Sequence, residues 1–208
     1  QKVVLNKDHV LEQLKVGEQV LTYLQIESGF TQPNARINER MLSWATSVCY
    51  KSSGDLLEIY CGNGNFTIAL ARRFRKVLAA ESSKLSLRAA RYNAELNDIK
   101  NISFARMSST EITQAIDLKR TFRRLKDIDL KDFSFTTIFV DPPRSGLDAS
   151  TLALVVRYGK IIYFSCNPTS LLADLEKILP THQIKSVAIF DQFPWTEHLE
   201  VGLLLDLR

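Results

Sequence analysis

The sequence predicts an α/β fold: a mostly parallel sheet with an antiparallel final strand. Three observations carry this. From residue 55 onward, short apolar runs alternate with segments of helical period, and such alternation lays helices over both faces of a parallel sheet. Glycines at 62 and 64 follow directly on the first run, where an open sheet lets backbone approach a ligand. The last run, Val201–Leu207, comes after the run Val187–Phe190. The gap is only about ten residues, and a parallel crossover needs a dozen or more.

The elements follow in order. Residues 1–30 read as strand-rich, with alternation through Gln19–Ile26. A helix is expected from Pro33, because Ile37, Met41, Trp44, Ala45 and Val48 recur at helical spacing and proline suits a first turn. Ser52-Ser53-Gly54 breaks the chain. Strands are expected at Asp55–Tyr60, Val77–Ala80, Ile102–Ala105, Thr137–Val140, Lys160–Ser165 and Val187–Phe190. Helices are expected after Gly64, through Ile68, Leu70 and Phe74, at Lys84–Asn97 and at Pro168–Leu179. Residues 117–132 break the rhythm with six basic and four acidic side chains. They read as an extended excursion or a basic helix, either a solvated face or a contact for phosphates.

The 208 residues carry 27 Lys+Arg against 23 Asp+Glu, a net charge of +4, with 45% hydrophobic and 24% charged residues. That usage excludes a disordered chain, a collagen-like fibre and a disulfide scaffold. No run of about 18 apolar residues occurs, so no membrane span is expected. The small positive surplus permits nucleic-acid binding without arguing for it. Cys49, Cys61 and Cys166 are odd in number and irregularly spaced, with no CxxC pair. No metal site is therefore expected, and a reducing, cytoplasmic setting fits best. The chain begins at Gln1 rather than Met, so a longer parent protein is expected.

Leu56–Tyr60 runs straight into Cys61-Gly62-Asn63-Gly64-Asn65-Phe66. The third glycine of a dinucleotide fingerprint would fall at Thr67, which disfavours a dinucleotide. Glu81 ends the next strand, 19 residues after Gly62. A carboxylate there can accept both hydroxyls of a ribose. A nucleoside-bearing cofactor without a pyrophosphate follows, and S-adenosylmethionine is the natural candidate. The plain alternative is a tight turn beside a solvated glutamate.

Asp141-Pro142-Pro143-Arg144 follows the strand Thr137–Val140, at the edge where ligands sit, and the prolines stiffen the loop. Ser165-Cys166-Asn167-Pro168 ends the next strand. A lone cysteine is usually a small core residue. Cys166 differs because it precedes a proline-started helix, and a helix N-terminus favours a thiolate. Cys61 is the rival, but its place in the glycine turn puts it under the cofactor. Cys49 lies on a helix without polar company. Near the end, His198 and Glu200 share one face if extended, and either could be a general base.

These residues resemble a known family. Phe30-Thr31-Gln32-Pro33-Asn34, Glu58–Asn65, Asp141–Asp148, Ser165–Pro168 and Asp191-Gln192-Phe193-Pro194 stand in the order found in the RNA uracil-5 methyltransferases, most closely the tRNA branch. The resemblance covers nearly the whole chain. It implies a class I S-adenosylmethionine-dependent methyltransferase (Rossmann-like) fold in residues 31–208, with residues 1–30 a lead-in from an N-terminal region that helps hold RNA. It implies that Cys166 is the nucleophile, that Glu200 rather than His198 is the proton-abstracting base, and that Gln32, Tyr60, Asn65, Glu81 and Asp141 bind S-adenosylmethionine. Arg144 follows the family pattern near nucleophile or substrate. The implied partner is the T-arm of tRNA, held by a monomer without metal.

Three competing readings remain. An adenine amino methyltransferase would share Asp-Pro-Pro, yet Arg144 occupies its aromatic position and it needs no Cys166. A non-catalytic RNA-binding module would not need Cys166 with Glu200. An rRNA-specific relative would carry cysteine clusters that are not visible here.

Overall fold

The computed structural model describes residues 7–49 and 54–208. The chain opens with an antiparallel hairpin, β1 (His9–Val16) and β2 (Gln19–Ile26), which forms a two-stranded sheet of its own. The helix α1 (Ala35–Val48) begins where Asn34 accepts the Ile37 amide, the usual device for an orphan N–H at a helix start. Its break was expected at Ser52-Ser53-Gly54; Ser52 and Ser53 lie outside the described residues, and Gly54 adopts φ +87°.

The main sheet holds β3 (Asp55–Ile59), β4 (Val77–Glu81), β5 (Ile102–Arg106), β6 (Phe135–Val140), β7 (Lys160–Ser165), β8 (His182–Phe190) and β9 (Glu200–Leu207), in the order β5-β4-β3-β6-β7-β9-β8. β3 to β7 are mutually parallel, whereas β9 runs antiparallel between β7 and β8. Crossovers run through α2 (Asn65–Leu70), α3 (Lys84–Leu96), α4 (Ser109–Ile116) and α5 (Ala149–Val155); α6 (Pro168–Ile178) precedes β8. All five residues of β3 are buried, as befits a central strand covered on both faces. One buried cluster packs α1, α2, α3 and the hairpin against one face; a second packs α4, α5 and α6 against the other. The strand order reverses between β3 and β6, and that switch point opens a crevice at the carboxyl edge.

The expected strands and the antiparallel last strand are present, with three differences of extent. The helix after Gly64 ends at Leu70, and a 3-10 turn continues it to Arg73. β8 starts at His182, five residues before the expected Val187. Its first half is mostly solvent-facing and polar, which hides an edge strand from an apolar pattern. Residues 117–132 form no long helix. They hold two 3-10 turns, Arg123–Leu125 and Leu130–Asp132. Phe122, Leu125, Ile128 and Leu130 pack inward, while Arg124 pairs with Glu111 and donates to the Arg106 carbonyl, and Asp117 pairs with Arg157 and Lys119. Among the described residues no helix is long and apolar enough to cross a membrane.

Asparagines tie the hairpin to the body. Asn97 accepts from the Thr22 amide (2.9 Å) and donates to the Thr22 carbonyl (2.7 Å). Asn93 accepts from the Leu24 amide (2.6 Å) and donates to the Asn63 carbonyl (2.9 Å). Asn63 donates to Gln25 (2.8 Å), and the buried Tyr23 hydroxyl donates to the Asn65 carbonyl (2.9 Å).

Candidate active site

A cavity of about 500 Å³ opens at the switch point. Gln32, Tyr60, Asn65, Glu81, Asp141, Cys166 and Glu200, the seven candidate site residues, all line it, together with Arg144. His198 does not: its amide donates to the Thr196 hydroxyl and its ring meets the edge of Phe193 at 6.0 Å.

The glycine turn shapes one end. Tyr60 turns out of β3 at φ +68°, a conformation that costs a non-glycine residue about 1 kcal/mol or more. Gly62 and Gly64 continue in the left-handed region, and a Cβ on Gly64 would press on Ala90 at 3.3 Å. Glu81 accepts from the Gly62 amide (3.1 Å), the Ser83 amide (2.6 Å) and the Ser82 hydroxyl (3.2 Å). Its carboxylate thereby fixes the turn, and Glu81 lines the cavity. Asn65 exchanges two 2.9 Å hydrogen bonds with the amide of the buried Asn38. Cys61 lines the cavity from beneath, and burial pushes its thiol up.

Cys166 and Glu200 form the other end. Ser165 of β7 pairs with Val201 of β9, so Cys166, just past the end of β7, stands next to Glu200 at the start of β9. Only an antiparallel strand can bring its beginning to the edge where the parallel strands end. Glu200 is 4% exposed and its Oε2 has no hydrogen-bond partner among the described residues. Burial pushes its pKa up to about 7. Asp141 is raised well above the carboxylate range by burial, then by Glu200 and Glu58.

The Cys166 thiol is also pushed up, by burial and by the charges of Glu200 and Asp141, with Arg144 acting in the opposite direction. This reverses the expectation drawn from the helix start alone. The sulfur does precede α6, which begins at Pro168 with Asn167 as its cap, but partial burial and two carboxylates push the thiol up.

Two side chains were given no role by the sequence reading. Gln192, 1% exposed, donates to the Gln32 side-chain oxygen (2.7 Å) while its own oxygen is unpartnered among the described residues. With its oxygen occupied, Gln32 has its NH2 left for a ligand. Glu58 is 1% exposed beneath the glycine turn, and burial raises it to about 8. Its signal was present as an acidic residue flanked by Leu56, Leu57 and Ile59 in a buried strand. Among the described residues no three His, Cys, Asp or Glu side chains are grouped to hold a metal.

Comparison with known proteins gives the family. The tRNA/tmRNA (uracil-C(5))-methyltransferases of Cellvibrio japonicus and Shewanella sp. (strain W3-18-1) are 54% and 53% identical to the chain over 208 residues. The chain spans 57% of the length of each of these curated relatives. The Pyrococcus abyssi tRNA (uracil-54, C5)-methyltransferase, solved with S-adenosyl-L-homocysteine, superposes with a TM-score of 0.75 at 27% identity, covering 97% of this chain and 45% of that one. The class I methyltransferase fold expected from the sequence is therefore present. The sequence model of the tRNA (uracil-5-)-methyltransferases matches residues 1–208, and the chain belongs to that family.

Proposed function

We infer that this chain is the catalytic part of an enzyme that methylates carbon 5 of a uridine in the T loop of tRNA. S-adenosylmethionine is the inferred donor, Cys166 the nucleophile and Glu200 the base. The observation that carries the reading is the meeting of Cys166 and Glu200 in one cavity with Glu81 and Asp141. The cavity fits the donor. At one end Glu81 offers a carboxylate anchored by three donors. At the other, Glu200 keeps an oxygen without a hydrogen-bond partner among the described residues and Asp141 lies buried near it, which suits a sulfonium. Gln32, Tyr60 and Asn65 complete the wall. When bound, S-adenosylmethionine supplies an electrophilic methyl group.

Carbon 5 of uracil is a poor nucleophile. Addition of the Cys166 thiolate to carbon 6 pushes the ring electrons into an enolate that is nucleophilic at carbon 5. After methylation, Glu200 takes the carbon 5 proton, the carbon 5–carbon 6 double bond re-forms, and the sulfur leaves as thiolate. A base titrating near neutrality suits this step. The uridine must leave its stack to reach the sulfur, and Phe30, 70% exposed, and Phe193 line the mouth where a base can lie against a ring. The inferred enzyme is a monomer on the T-arm, and three free thiols accord with a reducing, cytoplasmic compartment.

The test is nucleoside analysis of unmodified tRNA incubated with the full-length protein and methyl-labelled donor. Label is expected in 5-methyluridine and absent with Cys166→Ala. RNA with 5-fluorouracil at the target should trap a covalent complex, because fluorine cannot leave as a cation. Label in a methyladenosine would overturn the reading.

A further inference from the structure

The loop that carries Arg144 is fastened to α6 from both ends. Asn167, the residue after Cys166, donates its side-chain amide to the Arg144 carbonyl (2.8 Å), while its side-chain oxygen caps α6 at the Thr169 amide (3.1 Å). One turn and a half along the helix, Asp174, 7% exposed, receives the Leu147 amide (3.0 Å) and the buried Tyr163 hydroxyl (2.6 Å) on one oxygen. Between these two anchors the Gly146 amide donates to the Pro143 carbonyl (2.9 Å), closing a turn. Gly146 sits at φ +78°, and a Cβ there would stand 2.9 Å from the Asp174 oxygen and 3.1 Å from Ser170. The loop therefore lies directly on the helix that starts beside the sulfur.

We propose that Asn167 and Asp174 are positioning residues, clamping the Arg144 loop onto α6 so that the guanidinium is held against the Cys166 sulfur. The inference rests on Cys166 as nucleophile. The charged side chains acting on the sulfur are Glu200 from β9 and Asp141 and Arg144 from the loop after β6. Both carboxylates oppose the thiolate, and only Arg144 among these three favours it. A long, flexible side chain offsets two anions only if its base is fixed, because holding it in place otherwise costs side-chain entropy. The clamp fixes its backbone on both sides.

The experiment reads the rate of Cys166 alkylation by iodoacetamide against pH, in the full chain without RNA, resolved by peptide mass. Cys49 and Cys61 are buried, so the accessible thiol dominates. Asn167→Ser keeps an oxygen to cap α6 and is too short for the Arg144 carbonyl. Its profile should move up by roughly half a pH unit, about threefold slower at neutrality. Asp174→Ala should move it the same way, whereas Asp174→Asn, which keeps the accepting oxygen, should restore it. In an Arg144→Ala background, Asn167→Ser should add nothing, since the two act through one group. Unmoved profiles, or shifts that add to that of Arg144→Ala, overturn the proposal. If Asp174→Ala does not fold, Asn167→Ser alone decides. The readout needs neither tRNA nor methyl donor, so a failed clamp and a failed assignment of the methylation reaction are told apart.

Discussion

Replacing Glu200 by glutamine separates the two halves of the proposed reaction in opposite directions. The carboxylate is buried, has one oxygen unbonded among the described residues, and titrates at about 7. Losing a positioned base costs about 10²–10⁴-fold in rate, so turnover should fall by that factor. The thiol should respond in the other sense. After burial itself, Glu200 is the charge that most holds the Cys166 thiolate back. Its removal should lower the sulfur's titration by roughly 0.3–1 pH unit, raising alkylation at neutral pH about two- to tenfold. Addition to carbon 6 then proceeds without proton removal, and a protein–RNA adduct that survives denaturation should accumulate. In the unchanged enzyme the base must be ionised. Below about pH 7 its charged fraction falls about tenfold per unit, and kcat should fall with it, because the proton leaves after the methyl has been transferred. That limb should vanish in the glutamine variant. The assays are single-turnover methylation, a denaturing gel and iodoacetamide kinetics. Normal turnover with no adduct would refute the assignment and make His198 the first rival.

Three further outcomes are expected. Glu81→Ala should weaken S-adenosylhomocysteine binding by about 1–3 kcal/mol, roughly five- to 150-fold in Kd, because a ribose acceptor and the anchor of the Gly62 and Ser83 amides go together; unchanged calorimetric affinity would remove Glu81 from the site. Glu58 is protonated in the fold up to about pH 8 against an ordinary value of 4.5, so the unfolded chain binds fewer protons across that window and stability should fall as pH rises through it; Glu58→Gln should flatten the urea midpoint against pH, and parallel profiles would contradict this. Gly146→Ala should destabilise by about 1–3 kcal/mol from a positive φ and the close Asp174 oxygen, and an unshifted urea midpoint would show that the turn relaxes freely.

The sheet was legible because its central strands are buried on both faces and appear as short, mainly apolar runs, unbroken at Ile161–Phe164 and interrupted by Asp55 and Glu58 in β3. The direction of β9 was legible from loop length alone. The excursion at 117–132 was not. Its anchors Phe122, Leu125, Ile128 and Leu130 are spread among charges, and neither a helical nor an alternating pattern collects them. At the site, short motifs picked out all seven proposed residues; Tyr60, Glu81, Asp141, Cys166 and Glu200 stand at strand ends, which the sheet gathers along one edge, while Gln32 precedes α1 and Asn65 begins α2. What the motifs could not give was environment. Gln192 lies inside a recognised motif, yet its bond to Gln32 spans 160 positions. The upward shift of Cys166 depends on Glu200, brought near only by strand register.

The asparagine ladder ties the fate of the first hairpin to that of the glycine turn. Asn97 treats Thr22 as a neighbouring strand would, and Asn93 holds Leu24 with one hand and the Asn63 carbonyl with the other. Genetic exchange between relatives therefore cannot shuffle the hairpin freely: a foreign hairpin must meet the same asparagines at the same spacing, or it leaves a buried amide unsatisfied beside the cavity. Strain transmitted along the hairpin from whatever precedes it would reach the turn through three side chains, so the opening strands are a handle on the pocket as well as its outer wall.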